Sequence, residues 1–451
     1  MQDRRGNPVS RGSAEALDAY DSALHQLNIY CGDPIGTIDA AIAAEPDFVM
    51  GHLLRAEIFL TMWERGAVAM IQESLDKIEN LLAGCTDRER AHVDALKTWV
   101  AGDWRGFQAR MDRLLTDHPR DLLALQIGHL ADFYNGDRDN LRGRVTRALP
   151  AWSAEDPGYA YVLGMLAFGQ EECGAYAEAE EIGHRALALA PDDSWAQHAI
   201  AHVMEMQARQ AEGIAFMESR TEHWAQPANL FAHHNWWHTG LFFMDQGQTA
   251  PALEIYDAHV RPAPQDAAQD AVAEMQVMLL DGVAFLWRMH LRGLDVGERW
   301  TELADRYEAK NDADGEAGFY VFNDMHAMMA LSAAGRDAAA EARVKVVETA
   351  ADGAGSNGAM TAQVGLPIVR AVLAFSRGDY DAAVEQLMPV RYGAHAFGGS
   401  HAQRDIVHRT LIEAAIRAGD AALARGLAEE RVAMKPDCPF SLDLRERARA
   451  A

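Results

Sequence analysis

The chain has 451 residues, and its 41 Lys and Arg against 67 Asp and Glu give a formal charge of −26. Such a negative charge repels nucleic-acid phosphates and anionic membrane surfaces, so the composition argues against both as partners. The four cysteines are far apart and form no Cys-x-x-Cys pair, which argues against a disulfide framework or a thiolate zinc site and favours a reducing compartment.

The N-terminus has two arginines with no apolar run behind them. This pattern predicts neither a secretion signal nor a membrane-spanning helix at this end. We therefore expect a soluble, cytoplasmic protein whose residues 1–12 form a flexible N-terminus.

Alanine is abundant and apolar residues recur at intervals of three and four, which predicts helix nearly throughout. A glycine precedes a proline by 17 residues at three places: Gly102 and Pro119, Gly174 and Pro191, Gly419 and Pro436. A left-handed glycine ends the first helix of a pair and a proline ends the second, which is the interval of a tetratricopeptide repeat.

This repeat predicts an all-α fold, a right-handed α-solenoid of degenerate tetratricopeptide-like helix pairs. We expect a single solenoid over residues 13–440, curled around a central cavity, with a helix end or tail at 441–451. Three stretches that interrupt the pattern, 262–264, 311–315 and 352–358, are predicted loops.

Six of the eighteen histidines lie between residues 196 and 240. His198, His202 and Glu205 fall on one helix face, where they are candidate ligands of a divalent metal. A zincin would need Glu directly after the first histidine, but Ala199 stands there, so a metalloprotease is rejected. A metal site, a metal-free acid–base site and a structural hydrogen-bond network remain open.

A second phrase follows on a predicted helix. His234 and His238 share one face, Asn235 adds an amide, and Trp236 and Trp237 add apolar surface, a mixture typical of a pocket for an organic ligand. The alternative is a helix contact anchored by tryptophan with hydrogen-bonded histidines. Asp281 is a weaker candidate for a further wall of the pocket.

Two later phrases carry polar residues at predicted helix starts. Asn323, Asp324 and His326 form the first, where Asp324 either caps the helix or orients an imidazole. In the second, Ser400 is predicted to cap a helix whose amino end suits a carboxylate or an oxyanion. A nucleophilic Ser400 is disfavoured because no Gly-x-Ser-x-Gly surrounds it.

Three residues follow that serine on the same predicted helix: Gln403, Arg404 and Asp405. Arg404 either pairs with an acidic neighbour or binds a ligand carboxylate. We include all three as candidate ligand-binding residues.

Taken together, the polar phrases resemble those of the tetratricopeptide repeat protein 38 family: AHVMEM at 201–206, HNWWH at 234–238, LWRM at 286–289, FNDMHAMM at 322–329 and GGSHAQRD at 398–405. The resemblance spans about residues 15–440 and implies an all-helical, cytosolic repeat protein. It implies no reaction, and we assign no catalytic role from it.

Two functions are compatible with these patterns. The first is a small-molecule site, either for binding alone or for hydrolysis or another acid–base reaction. No cofactor is predicted for it, and a divalent metal is compatible with it. Its candidate catalytic residues are His198, His202, Glu205, His234, His238, Asp324 and His326, and its candidate ligand-binding residues are Asn235, Trp236, Trp237, Asn323, Ser400, Gln403, Arg404 and Asp405.

The second function is an adaptor that binds a peptide or partner protein on its concave face. The sequence shows no recurring basic pattern of the kind that clamps a peptide carboxylate. Self-association is compatible with either function.

Overall fold

Long helices joined by tight turns make up the part of the chain that this computed structural model describes, residues 1–450. Within these residues the only β-type pairings are two isolated bridges, Gln2 with Pro8 and Cys31 with Asn229. The helices are, in chain order, α1 (Ala14–Ile29), α2 (Pro34–Ala44), α3 (Val49–Leu60), α4 (Arg65–Glu79), α5 (Asp87–Val100), α6 (Trp104–Asp117), α7 (Leu122–Tyr134), α8 (Arg138–Ala148), α9 (Tyr159–Glu172), α10 (Tyr176–Leu189), α11 (Ser194–Met206), α12 (Gln210–Glu218), α13 (Thr221–Trp224), α14 (Ala232–Asp245), α15 (Thr249–Ile255), α16 (Ala267–Ala273), α17 (Gln276–Leu291), α18 (Arg299–Asp314), α19 (Val321–Ala333), α20 (Asp337–Ala351), α21 (Ser356–Met360), α22 (Leu366–Ser376), α23 (Tyr380–Leu387), α24 (His401–Ala418), α25 (Ala421–Met434) and α26 (Pro439–Ala450). The predicted all-α fold is confirmed.

The chain divides into two compact units. Unit 1 comprises Met1–Ile200 and Thr221–Ala232, and unit 2 comprises Ala201–Arg220 and the chain from His233 onward. Helix α11 contributes its first half to unit 1 and its second half to unit 2. The repeat spacing does not signal this division, because the same helix pairing occurs in both units. Closure around a central cavity stays a prediction.

The helix pairs turn as the glycine–proline interval predicts. Gly102, Gly174 and Gly419 have φ values of 83°, 80° and 76°, a left-handed conformation in which a β-carbon would be strained. They follow α5, α9 and α24, and the prolines of the same intervals follow the ends of α6, α10 and α25. The predicted tetratricopeptide-like helix hairpins are therefore confirmed.

The N-terminal residues 1–12 are the segment predicted to be flexible. Arg5 is buried in unit 1, where its guanidinium bonds the Asp21 carboxylate at 2.7 Å and the Pro157 carbonyl oxygen at 3.0 Å. Asp3 accepts hydrogen bonds from the backbone amides of Arg5 and Asn7. Buried contacts that local composition does not reveal hold this segment, and its flexibility stays a prediction.

One of the three predicted loops is wrong. Residues 311–315 continue α18 up to Asp314, and Gly315 ends the helix at a φ of 62°. The stretch 262–264 is irregular as predicted, and 352–358 separates α20 from α21, although α21 begins at Ser356. Asp and Asn within 311–315 favour turns, but their placement in the last turn of a helix costs little.

One helical stretch, Ser356–Ser376, is long and apolar enough to cross a membrane by length and composition alone. The buried share of its most apolar window is 56%. Because a core helix of a soluble protein passes the same test, this stretch is weak evidence for a membrane span.

Candidate functional site

Three of the predicted histidines meet inside unit 2. His202 lies on the second half of α11, and His234 and His238 lie one turn apart on α14. The His238 ring centroid is 4.4 Å from that of His202 and 5.0 Å from that of His234. One ring nitrogen of each histidine lies within 4.8 Å of those of the other two. We call these three buried residues the histidine cluster.

Two buried carboxylates bond the cluster. The Nδ1 atom of His234 is 2.7 Å from the Asp281 carboxylate on α17, and the Nδ1 atom of His238 is 3.2 Å from the Glu205 carboxylate on α11. Because an ionised carboxylate only accepts, each Nδ1 carries the proton and each Nε2 presents a lone pair. Lys435 also approaches Glu205, with its Nζ atom 3.6 Å from the carboxylate.

Burial sets the charge states in the cluster. Removal from water and the neighbouring His234 hold the pKa of His238 well below its ordinary value, so this imidazole is neutral near pH 7. Burial opposes ionisation of Asp281, but the adjacent His234 outweighs it and holds the pKa of that carboxyl below its usual range. A neutral imidazole such as that of His238 suits both general-base and metal-ligand chemistry.

Trp237 and Arg288 form a wall beside the cluster. The Trp237 ring stacks on His234 at 5.3 Å with an interplanar angle of 9°, and the Arg288 guanidinium lies 5.1 Å from the centre of the Trp237 ring. Arg288 donates to the backbone carbonyls of Ala284 and Ala402. Burial lowers the pKa of Arg288 to about 10. The cluster therefore has an aromatic and cationic neighbour as well as its two carboxylates.

His326 is another buried imidazole of unit 2. Its Nδ1 atom donates to the Phe322 carbonyl at 2.8 Å, and burial lowers its pKa to about 4, so it is neutral. Its Nε2 atom and the Oδ1 atom of Asp281 are buried acceptors with no hydrogen-bond partner within residues 1–450. Each such acceptor costs roughly 1–3 kcal/mol unless a donor reaches it. They mark a neighbourhood suited to a hydrogen-bond donor.

His198 lies in the part of α11 that belongs to unit 1. Its ring lies 5.0–5.1 Å from three aromatic rings of unit 1: Phe168, Trp195 and Phe231. This aromatic packing gives His198 a role in the core of unit 1.

The remaining residues of the second phrase divide between two environments. Trp236 is half-buried and stacks on His259 at 4.1 Å with an interplanar angle of 11°. Asn235 is fully buried, and its carbonyl accepts from the Thr239 hydroxyl. Trp237, not Trp236, is the tryptophan at the cluster.

The structure corrects the capping role predicted for Asp324. Helix α19 has Tyr320 at its N-cap, and Asp324 lies in the first turn instead. Its carboxylate accepts from the Gly318 amide at 3.1 Å and from Arg343 at 2.8 Å. Its neighbour Asn323 is buried. Asp324 thus anchors the loop before α19 and a buried arginine of α20.

Ser400 caps α24 as predicted. Its hydroxyl accepts from the Gln403 amide at 3.2 Å, and the Gln403 side chain accepts from the Ser400 amide at 3.0 Å, so the two form a capping box. Arg404 donates to the Gly399 carbonyl. These bonds occupy the helix start with intramolecular contacts, which favours a structural role for Ser400 and Gln403 over ligand binding.

Asp405 pairs with two arginines. Its carboxylate lies 2.5 Å from the Arg409 and Arg431 guanidinium groups. Burial opposes its ionisation, but these arginines hold the pKa of Asp405 well below its usual range. Both arginines lie in unit 2, and these ion pairs favour a structural role for Asp405 over ligand binding.

The roles of Asp281 and Lys435 were not evident from the sequence. Asp281 entered only as a weak candidate for a pocket wall, and Lys435 stands in no recognisable motif. Asp281 lies seven residues before Arg288 on α17, so the two share a helix face. This spacing was a signal that could have made Asp281 a stronger candidate site residue. No local pattern indicated Lys435.

Unit 1 has a cleft of about 640 Å³ between α5 and α6, which we call the α5–α6 cleft. Its lining includes three aspartates and four arginines: Arg88, Arg90, Arg110 and Arg113. Arg110 and Arg113 are exposed on successive turns of α6. The cleft contains none of the residues proposed from the sequence.

The paired helices and left-handed glycine turns define an all-α helical-repeat protein of the tetratricopeptide type. No protein-family model matches the chain. Its structure is similar to a chain of the APC/C hetero-tetramer Cut9–Hcn1, with 12% identity over 96% of this chain and 71% of that chain and a TM-score of 0.46. The structure of the human IFIT1 dimer with m7Gppp-AAAA shows 13% identity over 97% of this chain and 95% of that chain, with a TM-score of 0.37. Yeast Tom70 shows 14% identity over 97% and 87% and a TM-score of 0.35.

Proposed function

We propose that this protein is a binding scaffold that recognises an acidic peptide segment of a partner protein at the α5–α6 cleft. Stacked helix hairpins commonly serve as extended binding surfaces. The observation that carries the proposal is the cleft itself, whose volume of about 640 Å³ lies within the range of ligand sites.

Charge identifies the class of partner. The whole chain carries 26 more acidic than basic groups, yet the cleft holds four arginines against three aspartates. Arg113 pairs with Asp117 at 3.1 Å and Arg90 with Asp87 at 2.6 Å, in exposed contacts that contribute little to stability. Arg88 is buried against Asp3 and Asp121, so the exposed Arg110 and Arg113 are the arginines that face a ligand. Arginine forks bind carboxylates in a bidentate manner, so a peptide rich in Asp and Glu is the complementary ligand.

A peptide-binding experiment tests this proposal. Fluorescence polarisation would compare a labelled Asp- and Glu-rich peptide with a Lys-rich peptide of equal length. Arg110→Glu should weaken binding of the acidic peptide by about tenfold or more, since it replaces an attraction with a repulsion. Arg185→Glu, at an exposed arginine of α10, is the matched control. Equal binding by wild type and Arg110→Glu, or no preference for the acidic peptide, would refute the proposal.

A second candidate function is a small-molecule site at the histidine cluster. The Asp281–His234 pair and the buried acceptors beside it favour this function, because oriented imidazoles serve as general bases in hydrolysis and other proton transfers. We place it second because every cluster residue is buried, so a substrate enters only if unit 2 opens.

The second function predicts a ligand-dependent rise in melting temperature. A panel of carboxylated and amide-bearing compounds would be screened against wild type and His202→Ala. Loss of the ligand response with unchanged helix content supports a binding site. A large loss of helix content in the variant instead supports a structural role for His202.

We also propose membership of the tetratricopeptide repeat protein 38 family, on the strength of the five phrases quoted above. A cytoplasmic location accompanies that proposal, and microscopy of the tagged full chain tests it. Self-association stays a prediction that light scattering of the purified chain would check.

A further inference from the structure

We propose that the histidine cluster of unit 2 binds one divalent transition-metal ion of the zinc type. Its ligands are His202, His234 and His238. This inference concerns the same residues as the second candidate function but needs no substrate. It is independent of partner binding at the α5–α6 cleft in unit 1.

The spacing of the three imidazoles carries the inference. One nitrogen of each lies within 4.8 Å of those of the other two. Zinc–nitrogen bonds of about 2.0–2.1 Å in a tetrahedron require nitrogens about 3.3 Å apart. The three nitrogens would therefore have to approach one another by at most about 1.5 Å to bind one ion. Imidazole sets of this kind select zinc or a neighbouring transition metal over magnesium or calcium, which prefer oxygen.

Carboxylates orient two of the rings in the manner of zinc sites. Asp281 holds Nδ1 of His234 at 2.7 Å, and Glu205 holds Nδ1 of His238 at 3.2 Å. In each ring Nε2 would then coordinate the metal. Carboxylate–histidine–metal triads of this form fix the tautomer and raise the basicity of the ligand.

The surrounding charges allow a cation. Glu205 and Asp281 are two buried carboxylates that bond the cluster, and two positive charges would balance them. Lys435 lies 3.6 Å from Glu205 and Arg288 stands over Trp237, so both compete with the ion for this negative charge. The carboxylates bond the imidazoles directly. Lys435 contacts only Glu205, through the carboxylate oxygen that does not bond His238.

The three imidazoles would fill three positions of a tetrahedral ion. Three protein ligands plus water is the usual composition of an open zinc site.

Metal analysis of the full chain, purified without an affinity tag, tests this inference. We expect about one equivalent of zinc per chain by elemental analysis. Protein stripped with a chelator and titrated with Co²⁺ should develop the visible absorption bands of a tetrahedral site. Zinc should also raise the melting temperature of the stripped protein.

Variants separate ligands from positioning residues. His234→Ala and His238→Ala should abolish the cobalt bands. Asp281→Asn keeps all three ligands and should weaken zinc binding by about 10–100-fold. His290→Ala, which removes an α17 histidine that stacks on Trp287, is the matched control and should bind zinc as wild type does.

Several outcomes would overturn the metal site. The first is that the wild-type protein contains no stoichiometric metal and also develops no cobalt bands. The second is that zinc affinity falls as much in His290→Ala as in the variants of the cluster. If the ligand variants fail to fold, the wild-type cobalt spectrum and the zinc affinity of Asp281→Asn still decide whether the metal site exists. Because zinc and cobalt are the probes, a lack of turnover leaves this inference intact.

Discussion

His92 in unit 1 offers the sharpest test of how buried charge stabilises this protein. It is fully buried, with Nδ1 2.6 Å from the Glu57 carboxylate and Nε2 2.9 Å from the Asp121 carboxylate. Burial opposes protonation, but the two carboxylates outweigh it and raise the pKa of His92 from 6.5 to about 10. The folded protein therefore carries a charged imidazole at neutral pH, bonded at both nitrogens.

The pKa shift gives the sign and size of the effect. Because the folded pKa lies above the unfolded one, the stabilisation is complete below pH 6.5 and is lost as pH rises through about 10. Linkage between the folded and unfolded pKa values gives the contribution of His92 to the unfolding free energy. This contribution is roughly 4 kcal/mol at pH 7 and about 1.4 kcal/mol at pH 9. Wild type should therefore lose about 2.5 kcal/mol from this source between pH 7 and pH 9.

Urea unfolding at both pH values would measure this loss. His92→Gln removes the titrating charge, so its stability should be lower at pH 7 and change less with pH than that of wild type. His184→Gln, at an exposed histidine of α10, is the control and should follow wild type. The reasoning is refuted if His92→Gln and wild type lose the same free energy between pH 7 and pH 9, because other groups would then account for the whole change.

Three further predictions follow from single contacts. Ala208 has a φ of 56° in the turn after α11, where other turns place glycine, so Ala208→Gly should raise the unfolding free energy by about 0.5–1 kcal/mol in urea titrations. Asp324→Ala should cost about 3–5 kcal/mol because it leaves Arg343 buried without its counterion; a loss below 1 kcal/mol in the same assay would contradict this ion-pair role. Thr410→Val removes the hydroxyl that accepts from the buried Trp287 indole nitrogen at 2.9 Å, and should lower the unfolding free energy by about 1–3 kcal/mol. An unchanged midpoint of urea unfolding would show that this hydrogen bond contributes nothing.

Local features of the site were predictable to a useful degree. The one-turn spacing of His234 and His238 on one helix face follows from helical geometry, and the structure places both in the histidine cluster. The serine at the start of α24 signals a cap by its position alone. Asp324 shows the limit of such rules, because the true N-cap is Tyr320 and a distant arginine determines what the aspartate does.

The amino-acid sequence by itself determined the all-α class, the helix hairpins and the faces of the helices, because glycine turns, proline ends and apolar spacing act within a few residues. Only the tertiary structure decided that His198 packs against aromatic rings of unit 1, that His202 meets His234 and His238 in unit 2, and that Asp281 bonds His234 across 47 residues of chain. It also decided that residues 1–12 are anchored, through the bond between Arg5 and Asp21. These outcomes depend on which helices pack together and on the cost of leaving a buried charge without a partner, and neither is written in local spacing.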